Sequence, residues 1–208
     1  MWRGVITGTD TGIGKTVVAA MLTAALRACY WKPVQAGMLD DTDTMQVRRL
    51  TGLPEAHFLP EHYRLQAALS PHRAAELEGV ALDIAALAQV PEVAHPLVIE
   101  GAGGVLVPLT RRELMIDLFA LWKLPAIVCA RTALGTINHS LLTLAALRAR
   151  QIAVHGIIFV GDDVPDSMRT IAEFSGVRIL GRLPHLPELT GTQLRQAFAE
   201  HFRMEDFT

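Results

Sequence analysis

The chain is poor in cysteine and in surplus charge, and it lacks any long uninterrupted apolar run. Its two cysteines, Cys29 and Cys129, both lie in apolar, strand-like company. They match no paired-cysteine metal spacing and read as small buried hydrophobes. Lys and Arg number 19 against 21 Asp and Glu, a net charge of -2, so no basic surplus points to nucleic acid or to an anionic membrane. No apolar stretch approaches the ~20 residues that a membrane-spanning helix needs. The sequence runs within a few residues into a glycine-rich motif at Gly8, so no cleaved targeting peptide is expected. The expected compartment is the cytoplasm, with reduced thiols. Repeats, low-complexity tracts and linkers are likewise missing, and residues 1–208 are expected to form a single domain.

What remains is a pattern of short apolar, β-branched runs separated by segments of helical period. Strands are expected at Val5–Thr7, Tyr30–Gln35, Pro96–Glu100, Pro125–Ala130, His155–Val160 and Val177–Leu180, and a helix from Lys15 to Ala28. The segment from Pro54 to Pro71 is the least regular and reads as a long surface excursion. Continuous apolar strands, rather than alternating ones, suit a parallel sheet covered on both faces. Their alternation with helices predicts an α/β fold: one doubly wound, mainly parallel sheet with helices on both sides. In such sheets ligands gather beyond the carboxyl ends of the strands. The chemical motifs of this chain fall there.

The first is Gly8-Thr9-Asp10-Thr11-Gly12-Ile13-Gly14-Lys15-Thr16, between a strand and a helix. Glycines let successive amide hydrogens point into one anion-sized nest. The helix N-terminus adds a partial positive charge and Lys15 a full one. The hydroxyl of Thr16 is placed for a magnesium ion shared with nucleotide phosphates. Five residues, not the usual four, separate Gly8 from Gly14, so a bland glycine-rich turn is the competing reading.

The second is Lys32-Pro33-Val34-Gln35-Ala36-Gly37. Proline stops the strand and leaves the Lys32 ammonium at the sheet's carboxyl edge, where it would neutralise moving phosphate charge or simply be solvated. Asp40, Asp41 and Asp43 follow, a cluster that suits a solvated loop or a helix cap as well as a metal. Glu100 ends an apolar strand just before Gly101-Ala102-Gly103-Gly104. Thr16, Asp43 and Glu100 together would supply the few hard oxygens that magnesium prefers; otherwise Glu100 caps the glycine turn.

Taken together, these motifs resemble the dethiobiotin synthetases. Gly8 to Thr16 matches the family's first signature, extra residue included. Lys32 to Gly37 matches its Lys-Pro-Val motif, and Glu100 to Gly104 with Pro108 its Glu-Gly-Ala-Gly-Gly motif. Leu134, Gly135, Ile137, Asn138 and His139 match its Leu-Gly-x-Ile-Asn-His motif, and Ser70-Pro71-His72 a shorter one. The matches run in order from about residue 5 to residue 145. The resemblance implies a P-loop nucleotide-hydrolase type of fold and an ATP- and magnesium-dependent ring closure. Its substrates would be 7,8-diaminopelargonic acid and carbon dioxide, and its product the cyclic urea of dethiobiotin.

It also implies roles. Thr11, Lys15 and Lys32 would contact the transferring phosphate and a carbamate, with Gly8, Asp10, Gly12, Ile13, Gly14 and Thr16 around the nucleotide. Thr16, Asp43 and Glu100 would hold magnesium. Gly101, Ala102, Gly103 and Gly104 would lie beside the diamine. Gly135, Thr136, Ile137 and Asn138, contributed across a homodimer interface, would bind the substrate carboxylate; a helix start with free amides suits that anion. A plain cap for the helix that follows needs no ligand.

The sequence also departs from the family. Gly12 stands where glutamate is frequent, and Ala36 where serine or threonine is. Val160 stands where some members read adenine with an asparagine, a paired contact that valine cannot make. Base recognition is then expected to be weaker, or to rest on backbone near Gly161 and on Leu183 and Pro184 in the Gly181–Pro187 loop. A partitioning-type ATPase switch is the main rival, but its extra lysine would stand where Asp10 is. An amide-forming synthase from cobalamin assembly would need a glutamine-hydrolysing domain, for which 208 residues leave no space. A non-catalytic nucleotide-binding protein would have no reason to keep both lysines and both acids.

Overall fold

The computed structural model describes residues 1–38 and 41–207. Asp40 therefore lies outside the described residues. In chain order the elements begin with β1 (Arg3–Gly8), α1 (Lys15–Leu26), β2 (Cys29–Trp31), β3 (Val34–Ala36) and α2 (Asp43–Thr51). Next come β4 (Phe58–Leu59), β5 (Tyr63–Leu65), α3 (Pro71–Glu78), the single turn α4 (Ile84–Leu87), β6 (Leu97–Glu100) and α5 (Met115–Trp122). The chain continues with β7 (Ala126–Arg131), α6 (Thr136–Ala149), β8 (Val154–Val160), α7 (Pro165–Ser175), β9 (Ile179–Leu183) and α8 (Gly191–His201).

Among the described residues, seven strands form one sheet in the order β4-β2-β6-β1-β7-β8-β9, and the paired strands run parallel. Parallel strands need crossovers, and the helices supply them on both faces. Successive residues of β1 point to opposite sides. Val5 joins a core with Leu118 and Phe119 of α5, Leu144 and Leu147 of α6 and Ile171 of α7. Ile6 joins the other core, with Val18 and Leu22 of α1, Val47 of α2 and Leu194 of α8. Burying each such side chain contributes roughly 1.5–3 kcal/mol, which is why the strands are apolar on both faces. Among the described residues no helix is long and apolar enough to cross a membrane.

Three expectations need correction. Tyr30–Gln35 is not one strand: β2 ends at Trp31, and β3 leaves the main sheet to pair with β5 in a separate ribbon. Pro33 has no amide hydrogen to continue the ladder, so the chain turns at Lys32. The segment from Pro54 to Pro71 is built into the fold, with β4 on the sheet edge and His57, Phe58 and Leu65 buried. Its short strands carry too few residues to show a period. The last strand runs Ile179–Leu183, so the expected Gly181–Pro187 loop starts as strand, and Leu183 packs into the core.

The remaining packing follows the sequence. Both cysteines are free and buried, and burial pushes the Cys129 thiol up to about 12, too high for a nucleophile at neutral pH. Trp31 and Trp122 pack ring to ring at 5.9 Å.

Candidate active site

β1 is the central strand, with β6 and β7 on either side, and the loop after it opens α1. Gly14 caps α1 with φ at 92°, and a Cβ there would approach the Val160 side chain to 3.1 Å. Both the left-handed backbone and the close approach call for glycine. Ile13 is buried and packs back on Gly8, so it shapes the loop from behind. The Lys15 ammonium folds back onto the carbonyl of Asp10 at 2.9 Å. The Asp10 carboxylate accepts the Thr11 amide at 2.7 Å and pairs with Arg131 from the end of β7. Burial lowers the Lys15 pKa below its usual 10.5, against the attraction of Glu100. A buried cation held by a neutral carbonyl is poised to take an anion.

Beside this loop four chain segments bring charge together. Lys32 turns inward from the break between β2 and β3, Glu100 ends β6, Asp43 opens α2 and Thr16 lies in the first turn of α1. Thr42 takes the cap of α2 through its hydroxyl, which leaves the Asp43 carboxylate free to face the loop. The Lys32 ammonium lies 2.6 Å from Asp43 Oδ2 and 3.1 Å from Glu100 Oε1, and 3.4 Å from the Gly101 carbonyl. Thr16 Oγ1 is 2.8 Å from Asp43 Oδ1 and 2.9 Å from Glu100 Oε1. The Tyr30 hydroxyl, fully buried, donates to Glu100 Oε2 at 2.8 Å.

Burial alone would lower the Lys32 pKa, but Glu100 and Asp43 outweigh it and raise the value above 10.5. Burial would raise Asp43; Lys32 outweighs it and leaves the carboxyl below 3.8. Both groups are therefore charged throughout the neutral range.

A cavity of about 700 Å³ opens over these groups. Thr11, Gly12, Gly14, Lys15, Thr16, Lys32, Asp43, Glu100, Ala102 and Gly103 line it. Ala36, Ala68, Leu69, Pro71 and Val107 give it an apolar wall, with Ser70 and Gln46 at its polar positions. Gly12 has nothing within 4 Å of a Cβ built on it, so the loop is open there. Gly103, at φ 65°, brings the glycine turn close to Thr11 and Val107. Gly101 packs on Phe119, and Gly104 faces the Gly8 carbonyl, which sets the turn against the loop after β1.

Two expected groups sit outside this cavity. Gly135 caps α6 with φ at 93°; Gly135 and Asn138 are exposed and Ile137 half-buried. Thr136 turns inward: its amide is taken by the Ala133 carbonyl and its side chain is buried beside Ser140. Gly161 is tied by its amide to the Leu183 carbonyl and by its own carbonyl to Arg182. Thr132 and His185 crowd its α-carbon. Leu183 is buried, and Pro184 lines a separate hollow with His185. Of the other acids named, Asp41 pairs with Arg49.

Sequence reasoning missed Tyr30, Gln46, Arg131 and the Ala68–Leu69 wall. Tyr30 reads as another core aromatic, and the wall comes from the segment taken for a surface excursion. Ser70 and Pro71 had a signal in the Ser-Pro-His match, but no role attached to it.

Known proteins resemble this chain in sequence and in fold. A family model described as an AAA domain covers residues 3–193. The chain is 60% identical to the ATP-dependent dethiobiotin synthetase BioD of Novosphingobium aromaticivorans, over 98% of both chains. It is 58% identical to the protein of that name from Agrobacterium fabrum, over 99% of this chain and 96% of the relative. Among solved structures, a ParA family ATPase from Chlorobium tepidum superposes with TM-score 0.52 at 11% identity, covering 96% of this chain and 89% of that one. The MinC:MinD cell division complex of Aquifex aeolicus gives 0.56 at 15%, covering 95% of this chain and 86% of the matched one. Those two likenesses show the fold alone, whereas the near-full-length sequence identity lies with the dethiobiotin synthetases. The chain belongs to the dethiobiotin synthetase family.

Proposed function

We propose that this chain uses ATP to close the ureido ring of dethiobiotin from 7,8-diaminopelargonic acid and carbon dioxide. The observation that carries the reading is the meeting of Lys32, Asp43, Glu100 and Thr16 beside the phosphate loop, under a cavity with one apolar wall. Such a wall suits the alkyl chain of the diamine, and the charged floor suits a polyphosphate.

One amine takes up carbon dioxide and loses a proton, giving a carbamate. A carbamate oxygen attacks the γ-phosphorus, and the bond to the departing ADP breaks. The second amine then attacks the carbonyl carbon of the mixed anhydride, inorganic phosphate leaves, and the ring is closed. No protein nucleophile is required. Lys15, released from the Asp10 carbonyl, and Lys32 would hold the transferring phosphoryl group, and Thr11 would orient it. Positioning and charge neutralisation supply the rate. Mass-spectrometric detection of the cyclic urea from diamine, bicarbonate, magnesium and ATP tests this; ATP hydrolysis without that product would refute it.

Magnesium fits the acids. The Thr16 hydroxyl has one proton to donate and two carboxylate oxygens within 2.9 Å, so a set of hard oxygens is gathered with one acceptor contact left over. Among the described residues no three His, Cys, Asp or Glu side chains gather as a metal site, so phosphate and water would complete the shell. Thr16, Asp43 and Glu100 would hold the ion, which when bound neutralises charge on the phosphates.

The base is expected to be read loosely. Val160 packs over Gly14 and presents no hydrogen-bonding group. Steady-state rates with ATP, GTP and CTP should lie within roughly tenfold of one another; strict dependence on ATP would contradict this.

The enzyme is read as a cytoplasmic homodimer, in which Gly135–Asn138 of one copy supplies backbone amides to the substrate carboxylate in the other, Ile137 and Asn138 foremost. Asn138→Asp sets a like charge there and raises the diamine KM. Mixing Lys15→Ala and Asn138→Asp subunits at low diamine should restore roughly a quarter of wild-type activity, because half the dimers then hold one intact site of two. A mixture as inactive as its components would place each site within one chain.

A further inference from the structure

We propose that Tyr30 is a positioning residue that sets the orientation of Glu100 for cation binding. This rests on the reading of Glu100 as a cation ligand. Glu100 is 1% exposed, so each of its oxygens needs a partner. Oε1 faces Thr16 at 2.9 Å and Lys32 at 3.1 Å, toward the phosphate loop. Oε2 faces away and accepts the Tyr30 hydroxyl at 2.8 Å.

The sheet makes this pairing. β2 lies beside β6 with Tyr30 opposite Val98. Val98 and Glu100 are two apart in a strand and share a face, and Tyr30 packs in the same core as Val98 and Ile6. The ring therefore runs along that face for one step, and its hydroxyl reaches the carboxylate. The phenol donates its proton to Oε2. With Oε2 tied, the carboxylate has lost its rotation, and Oε1 stays directed at the cation position. No other chemistry is asked of Tyr30, which does not line the cavity.

The test measures Mn²⁺ affinity in the presence of ADP, by electron paramagnetic resonance of the free ion, for wild type, Tyr30→Phe and Glu100→Gln. Tyr30→Phe keeps the ring and is expected to weaken Mn²⁺ binding about 10-fold, the usual effect of removing a partner behind a metal ligand. The magnesium concentration for half-maximal rate should rise by the same factor, with the diamine KM changing less than about twofold. A folded Tyr30→Phe with wild-type Mn²⁺ affinity would overturn the inference. Wild-type affinity in Glu100→Gln would instead overturn the reading beneath it.

Should Tyr30→Phe fail to fold, fluorotyrosine decides. The chain has 2 tyrosines, so fluorotyrosine in a Tyr63→Phe background labels Tyr30 alone. Its fluorine resonance is expected to shift as magnesium is added to the ADP complex, tracking metal binding. A resonance that stays put through saturation would count against the proposal.

Discussion

Replacing Lys32 with alanine is expected to lower turnover by about 100-fold or more and to destabilise the fold by about 3–5 kcal/mol. The stability loss has a definite cause. Lys32 is 4% exposed and its ammonium separates two carboxylates, at 2.6 and 3.1 Å. Without it, Asp43 and the buried Glu100 face each other with like charge, and an uncompensated buried charge costs far more than a surface pair contributes.

The pH dependence follows from the directions of the two shifts. Lys32 is raised above 10.5, so its contribution is complete below that value and is lost as pH climbs through its folded pKa. Asp43 is lowered below 3.8, so its contribution is complete above that value and is lost as pH falls through its folded pKa. The wild-type cluster is therefore intact across the whole range between. In Lys32→Ala the deficit is greatest at neutral pH and narrows in acid, where one carboxyl takes up a proton. Calorimetry should show a Tm lower by roughly 10 °C at neutral pH. An unchanged Tm there would mean the acids have another partner.

Lys15→Ala should behave differently, although its turnover falls by a similar factor of about 100 or more. The Lys15 ammonium is desolvated and rests on a neutral carbonyl at 2.9 Å. Removing it deletes a buried charge along with one hydrogen bond, two effects that oppose each other. The expected Tm lies within about 3 °C of wild type, with ATP binding weakened. Measured together, the two variants separate a cation that serves only the phosphate from one that also holds the site together. Equal destabilisation by both would contradict that division.

Which parts of this could be read from the chain, and which could not, has a physical basis. Lys32 and Glu100 were legible because each stands where a strand must stop, one before a proline and the other before glycines. Strand ends in a parallel sheet share one edge, so their convergence follows from topology. Asp43 was only half legible. Three acids stood within four residues, and what selects the third is that Thr42 takes the helix cap in its stead. Tyr30 was invisible because its polar function depends on reaching one register step along a neighbouring strand. The cavity's apolar wall was missed for a similar reason: β4 and β5 are two and three residues long, too short for any periodic signal. At the start of α6 the motif marked a turn that caps the helix, with Gly135 at φ 93°, but not its inward-facing residue. The burial of Thr136 is set by packing against the rest of the helix, which a match of residue types does not encode.

In the proposed reaction this site moves a phosphoryl group onto an oxygen that came from carbon dioxide. A single turnover with bicarbonate labelled with heavy oxygen, quenched before label exchanges with water, tests it directly through phosphorus NMR of the released phosphate. One labelled oxygen is expected in each phosphate, formed in step with the cyclic urea. Unlabelled phosphate released at the same rate would mean that ATP is cleaved by water, and that the lysines and acids gathered at the sheet edge do something else.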